Sequence, residues 1–115
     1  MTTTATARRL DRTLAALADP HRRAIVDLLR ATPRSAGDVA RALDLAAPAA
    51  SRHLKALREG GLVEERHPAY DARVRIYSLR GEPMAELAAW LNAAEAAWAD
   101  QLAAFKAHVE LQQEP

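Results

Sequence analysis

The chain has 115 residues and a mass of 12.5 kDa, enough for one domain of ordinary size. It has no cysteine, which excludes disulfides, thiolate metal sites and cysteine nucleophiles, and its 4% aromatic content is too low for an aromatic binding platform. The net charge of +1 hides an asymmetry: residues 1–80 hold 15 Lys and Arg against 9 Asp and Glu, a net of +6, while residues 81–115 hold 1 against 6, a net of −5.

A basic body joined to an acidic tail calls for an anionic partner on the first part only. No apolar run approaches the roughly 18–20 residues that span a bilayer. The opening MTTTATARRLDR lacks the apolar stretch of a secretory signal. The expected location is therefore the cytoplasm, with no membrane partner.

Residues 1–7 are Thr and Ala without periodicity and read as a disordered N-terminus. Over 8–18, Leu10, Leu14 and Leu17 recur at i, i+4 and i+7, one face of a helix. Asp19-Pro20 restarts the chain: Asp is a good N-cap, and Pro in the first turn lacks only an N–H that would be orphaned anyway. A second helix should run from Pro20 to about Ala31, burying Ile25, Leu28 and Leu29. Ser35 and Asp38 have capping-box spacing, with Asp in place of Glu, and predict a short helix over 36–43. After a tight connection at 44–46, Pro48 opens a helix to about Glu59. Its inner face is Ala50, Leu54 and Leu57, and its outer face is Ser51, Arg52, Lys55 and Arg58. Gly60-Gly61 closes it.

The period then changes. Residues 62–67 and 73–79 are short and rich in Val, Ile and Tyr, separated by 68–72, and predict a β-hairpin. Alternation puts Arg73, Arg75 and Tyr77 on one face and Val74 and Ile76 on the other. Gly81 and Pro83 open a last helix. From Met84 its apolar positions run Leu87, Leu91, Ala94, Trp98, Leu102, Phe105 and Val109, nearly a heptad stripe of about seven turns, roughly 40 Å long. Trp90 lies off that stripe.

Helix, tight turn, basic helix and arginine-bearing hairpin form a winged helix-turn-helix, in a fold that is mostly α with a small β-hairpin. An α-helix fits the DNA major groove, about 12 Å wide. Pro48 and Ala49, with Ser51, allow close approach, while Ser51, Arg52, His53 and Lys55 offer donors to phosphates and base edges. Ser35, at the start of the short helix, and Arg66, Arg73 and Arg75 of the wing would reach the backbone. Double-stranded DNA is the expected partner. A last helix this long cannot bury its stripe against so small a domain. A homodimer seam is expected instead, built from Leu10, Leu14, Leu17, Leu87, Leu91, Ala94, Trp98, Leu102 and Phe105. The segments read as a disordered 1–7, a DNA-binding domain with an N-terminal dimerisation helix over 8–80, and a dimerisation helix over 81–115.

The stretches LADPHRRAIVDLL (17–29), SAGDVARALDL (35–45), PAASRHLKALREGGLVEE (48–65) and RVRIYSL (73–79) resemble the ArsR/SmtB family of winged-helix transcriptional repressors. The resemblance runs from about residue 14 to 109 and is most specific in SRHL followed by LREGGLV. It implies a homodimer joined by its first and last helices, a palindromic operator, and repression released by a signal, of which a small-molecule inducer is one form. Two positions depart from the family pattern. Ala46 stands where a Ser cap is usual, a loss of about 1 kcal/mol, and Ala47 stands where a polar or basic residue is frequent.

Other readings stay open beside this one. The basic face could be only a solvated helix face, and His53 could pack beneath its helix rather than touch phosphate. A metal- or metalloid-responsive regulator of the same fold would need ligands. Only Asp100, His108 and Glu110 suggest themselves on the last helix, with His21 and His67 expected far from His108, so no metal site and no cofactor are expected. A helical protein-interaction module using the acidic tail is the remaining alternative. Nothing points to an enzyme: there is no nucleophile–base pair in a motif context and no phosphate-cradling loop.

Overall fold

The computed structural model describes residues 4–113. The elements are α1 (Thr4–Ala16), α2 (Pro20–Ala31), β1 (Arg34–Ser35), α3 (Ala36–Ala42), α4 (Ala47–Glu59), β2 (Val63–Arg66), β3 (Ile76–Leu79) and α5 (Gly81–Gln113). The chain divides into two compact units, one ending at Met84 and the other beginning at Ala85. Among the described residues no helix is long and apolar enough to cross a membrane.

The expected disorder of residues 1–7 is corrected for residues 4–7, which form the first turn of α1. Thr and Ala carry no apolar period there, yet nothing in them opposes a helix. Residues 1–3 lie outside the described residues. The buried face of α1 also differs from the Leu10, Leu14, Leu17 stripe. It is Leu10, Thr13 and Ala16, with Leu14 exposed and Leu17 partly buried against the core. Close packing decides this. An added Cβ on Gly60 would lie 3.1 Å from the Ala16 Cβ, so α1 meets the end of α4 through its smallest side chains. The buried Thr13 hydroxyl is satisfied by donating to the Arg9 carbonyl at 3.0 Å.

Local signals set the helix limits. The Asp19 carboxylate accepts from the His21 and Arg22 N–H groups at 2.8 and 3.3 Å, capping α2. Arg22 and Arg23 reach back to the carbonyls of Ala15, Ala16 and Leu17, neutralising the negative end of α1. Ser35 caps α3 by accepting from the Asp38 N–H at 3.1 Å. The carboxyl of Asp38 lies below the usual range, chiefly through a hydrogen bond from the Arg41 guanidinium and further through Ser35. Helix α4 ends with the Leu62 N–H on the Leu57 carbonyl and the Gly61 N–H on the Arg58 carbonyl, both 3.0 Å, around a Gly61 φ of 81°. That pair of bonds is the Schellman motif, and its left-handed residue favours glycine.

The core of the first unit is built from Ile25, Val39, Leu54, Leu57, Leu62 and Val63, all fully buried, with Leu29 and Tyr77 beside them. Each large apolar side chain contributes about 1.5–3 kcal/mol by leaving water. The sheet has three strands in the order β1-β3-β2, all antiparallel, not the two of a simple hairpin. Arg34 pairs with Tyr77 and Ser35 with Ile76. Two residues are too few to show a period, so β1 had no sequence signal. The third strand begins at Ile76, later than expected. Arg73 lies in a turn and Arg75 just ahead of the strand, so the expected alternation does not extend to them: Tyr77 faces the core while Arg75 is exposed.

No residue of α5 is buried. Trp90, Leu91, Trp98, Leu102, Phe105 and Leu111 are all exposed, Trp98 at 57% and Phe105 at 67%.

Candidate nucleic-acid interface

The turn between α3 and α4 is built by residue chemistry. Asp44 adopts a φ of 53°, a left-handed conformation that Asp tolerates better than most residues. The Leu45 N–H reaches the Ala40 carbonyl at 2.9 Å, closing α3. Helix α4 then buries Ala50, Leu54 and Leu57, which fixes its rotation about its own axis. Ser51, Arg52, Lys55 and Arg58 are left exposed on the other side, as the sequence period predicts.

The start of α4 is open. Ala46 is the N-cap with extended backbone (φ −62°, ψ 143°) and makes no side-chain cap bond. Its carbonyl accepts from the Ala50 N–H at 3.0 Å. Pro48 has no N–H, so Ala47 and Ala49 carry the uncapped donors of the first turn, at the positive end of the helix dipole. Pro48 is exposed and Ala49 half-buried. Ser35, half-buried, uses its oxygen to cap α3.

Pairing separates the candidate cations from one another. Arg66 pairs with Glu64 at 2.8 Å, Arg73 with Asp71 at 3.3 Å, and Arg75 with Glu65 at 3.4 Å. Lys55 approaches Glu59 at 4.0 Å. Arg52 has no hydrogen-bond or ion-pair partner among the described residues. Residues 63–76 hold three arginines and three carboxylates, so the wing carries no net charge of its own, whereas α4 holds Arg52, Lys55 and Arg58 against Glu59, a net of +2.

Glu65 escaped the sequence reading. Its side chain is only 11% exposed and is shared by Arg58, by Arg75 and by the His67 Nε2 at 3.4 Å. It ties the end of α4 to the wing. The His67 Nδ1 lies 3.2 Å from the Val74 carbonyl and spans the hairpin. No periodicity marks such a residue, because its role depends on which strand lies opposite.

His53 turns away from Arg52 and Lys55. Its ring centroid lies 5.3 Å from that of His21, with the planes at 46°. Asp19, His21 and His53 each offer a metal-ligating atom, all within 4.8 Å of one another. The sequence offered no metal residues apart from Asp100, His108 and Glu110, and the structure does not group those three. His108 contacts Gln112 and Glu110 approaches Lys106. Burial pushes the Asp19 carboxyl up, but hydrogen bonds from Arg22 and His21 and the nearby His53 and Arg22 outweigh it and hold it below the usual range.

Of the residues expected at a subunit seam, Leu14, Leu91, Trp98, Leu102 and Phe105 are exposed, Leu17, Leu87 and Ala94 are half-buried, and Leu10 is buried.

Comparison with known proteins agrees with this arrangement. A helix-turn-helix domain family matches residues 17–66. The HTH-type transcriptional regulator Rv2034 of Mycobacterium tuberculosis is 48% identical over 64 residues, covering 56% of this chain and 59% of that protein. The matched region thus spans well under two thirds of the curated relative's length. An ArsR-like transcriptional regulator from Rhodococcus sp. RHA1 has a solved structure that superposes with a TM-score of 0.74 at 32% identity, covering 90% of this chain and 94% of that one. The homodimeric winged helix-turn-helix DNA-binding domain of a Mycobacterium bovis protein superposes with a TM-score of 0.62 at 30% identity, covering 85% of each chain. With the α3-turn-α4 unit, the β2–β3 wing within a three-stranded sheet, and similarity over nearly the full length of solved relatives, the chain belongs to the ArsR family of winged helix-turn-helix transcriptional regulators.

Proposed function

We propose that the chain is a sequence-specific DNA-binding repressor acting in the cytoplasm as a homodimer on a palindromic operator, with no catalytic role. The outer face of α4 carries the reading: Ser51, Arg52 and Lys55 stand exposed on a helix locked from behind, and Arg52 has no partner among the described residues. Such a helix fits the major groove, where an arginine reads guanine through two hydrogen bonds. Pro48 and Ala49 let its open N-terminus approach a phosphate, and the Ser35 hydroxyl would exchange its hydrogen bond to the Asp38 carboxylate for one to the backbone. Arg66, Arg73 and Arg75 would exchange carboxylate for phosphate. The more exposed pairs of Arg66 and Arg73 are worth only about 0–1 kcal/mol, so their exchange costs little, while Arg75 would leave Glu65 to Arg58 and His67. His53, turned toward α2, is not among these contacts.

The exposed apolar residues of α5 support dimerisation, because a patch of this extent is unusual on a monomer. Leu91, Trp98, Leu102 and Phe105 would meet the other subunit, with Leu14 from α1 and the half-buried Leu17, Leu87 and Ala94 contributing, while Leu10, expected there, is buried within its own chain. The homodimeric mycobacterial relative points the same way. In this arrangement residues 8–80 form the DNA-binding domain and residues 81–115 complete the dimer. A two-fold dimer places its half-sites about 34 Å apart or a multiple of that.

Fluorescence anisotropy on the DNA upstream of the protein's own gene tests the proposal. Binding should prefer a palindrome. If about 6–10 phosphates are neutralised, it should weaken by about 10³–10⁵ between roughly 50 and 200 mM salt. A flat salt dependence, or equal affinity for random duplex, refutes it.

A further inference from the structure

We propose that Asp19, His21 and His53 bind one divalent transition-metal ion of the zinc or nickel class, joining the N-terminus of α2 to the middle of α4. The three side chains come from two elements far apart in sequence. Packing brings one ligand atom of each within 4.8 Å of the others. The His21 Nδ1 lies 3.9 Å from the Asp19 Oδ1, and the two imidazole centroids are 5.3 Å apart with their planes tilted at 46°. Backbone N–H groups of His21 and Arg22 hold the Asp19 carboxylate by Oδ1, which leaves its other oxygen for a ligand. Those same bonds orient the carboxylate, as outer-shell partners do in built metal sites.

Metal–ligand bonds of about 2.0–2.2 Å put donor atoms of a tetrahedral site about 3.3 Å apart. The cluster must therefore tighten by about 1.5 Å at most. The His21 side chain is 58% exposed and free to rotate by that amount. Two imidazoles and one carboxylate suit borderline ions such as zinc and nickel rather than magnesium or calcium, which take all-oxygen sites. With three protein ligands, the site would keep a coordination position for water. The site involves neither the outer face of α4 nor the α5 stripe. It stands independently of the DNA and dimer readings, and it is measured on the protein alone.

Calorimetric titration of zinc into the full, chelator-treated chain near neutral pH tests this. One ion per chain should bind. His21→Ala, at an exposed position, and His53→Gln, which keeps most of the side-chain volume, should each weaken binding at least about tenfold, while His108→Ala leaves it unchanged. Cobalt in place of zinc should give visible absorption bands in the parent chain that fade in the first two variants. Circular dichroism of each variant confirms that the fold is retained. The proposal is overturned by absence of saturable one-to-one uptake, by uptake that survives His21→Ala and His53→Gln unchanged, or by uptake lost in His108→Ala instead.

Discussion

Ala46→Ser should stabilise the chain without touching its core. Ala46 already has the extended backbone of an N-cap, and no side chain caps α4. A serine hydroxyl there finds one acceptable donor. The N–H at the second helical position is missing because Pro48 occupies it, so the bond goes to Ala49. One restored cap bond is worth about 1 kcal/mol. With a urea m-value of about 1–3 kcal/mol/M, the unfolding midpoint should rise by about 0.3–1 M at unchanged m. Ala46→Asp should stabilise the fold by a comparable amount, since its charge also complements the helix dipole. The two variants part company on DNA. A carboxylate about 8 Å from a phosphate is repelled by about 2 kcal/mol at an effective dielectric of about 20, so Ala46→Asp should bind operator more than tenfold more weakly than Ala46→Ser. Urea denaturation followed by circular dichroism, and anisotropy at fixed salt, measure the two effects. An unchanged midpoint in both variants refutes the assignment of Ala46 as an open cap. Equal operator affinity in both refutes placing the start of α4 at a phosphate.

Arg52→Ala should cost about 1–3 kcal/mol of operator binding and relax specificity at one base pair, whereas Arg73→Ala, which removes a cation already paired with Asp71, should cost clearly less; equal losses in a binding titration would contradict the pairing argument. Gly61→Ala should destabilise the fold by about 1–2 kcal/mol, because its φ of 81° is left-handed, and thermal melts that match the parent would show that the turn relaxes freely. Asp19 and Asp38 both titrate below their ordinary 3.8, so their contribution to stability is complete above that pH and is lost as pH falls through the lowered values. Chemical denaturation should accordingly show a loss of stability below about pH 4 that Asp38→Asn reduces; an identical acid profile in that variant would remove Asp38 from the account.

Much of the helical layout was legible in the chain because it is written in local chemistry. Asp19-Pro20, Ser35 with Asp38, and Gly60-Gly61 each act on backbone groups within a few residues, and each marks a helix limit within a residue or so of where it falls. The inner face of α4 was equally readable, since Ala50, Leu54 and Leu57 repeat at helical spacing and a buried stripe needs no more than that. The outer face with Arg52 and Lys55 follows from the same period.

What the sequence determined, then, is the order of the helices and the hairpin, the helix-turn-helix with its wing, and the basic outer face of α4, because these depend on period and on capping over one or two turns. The tertiary structure alone decided how distant residues meet. It added β1 to the sheet through pairing with β3, turned Thr13 and Ala16 inward in place of Leu14 where Gly60 allows close approach, and gathered Arg58, Arg75 and His67 on Glu65. It also drew His21 and His53 together at Asp19. Each of these rests on a distance between segments, and such distances are set when side chains compete for the same packed space, not by the spacing of residues along the chain.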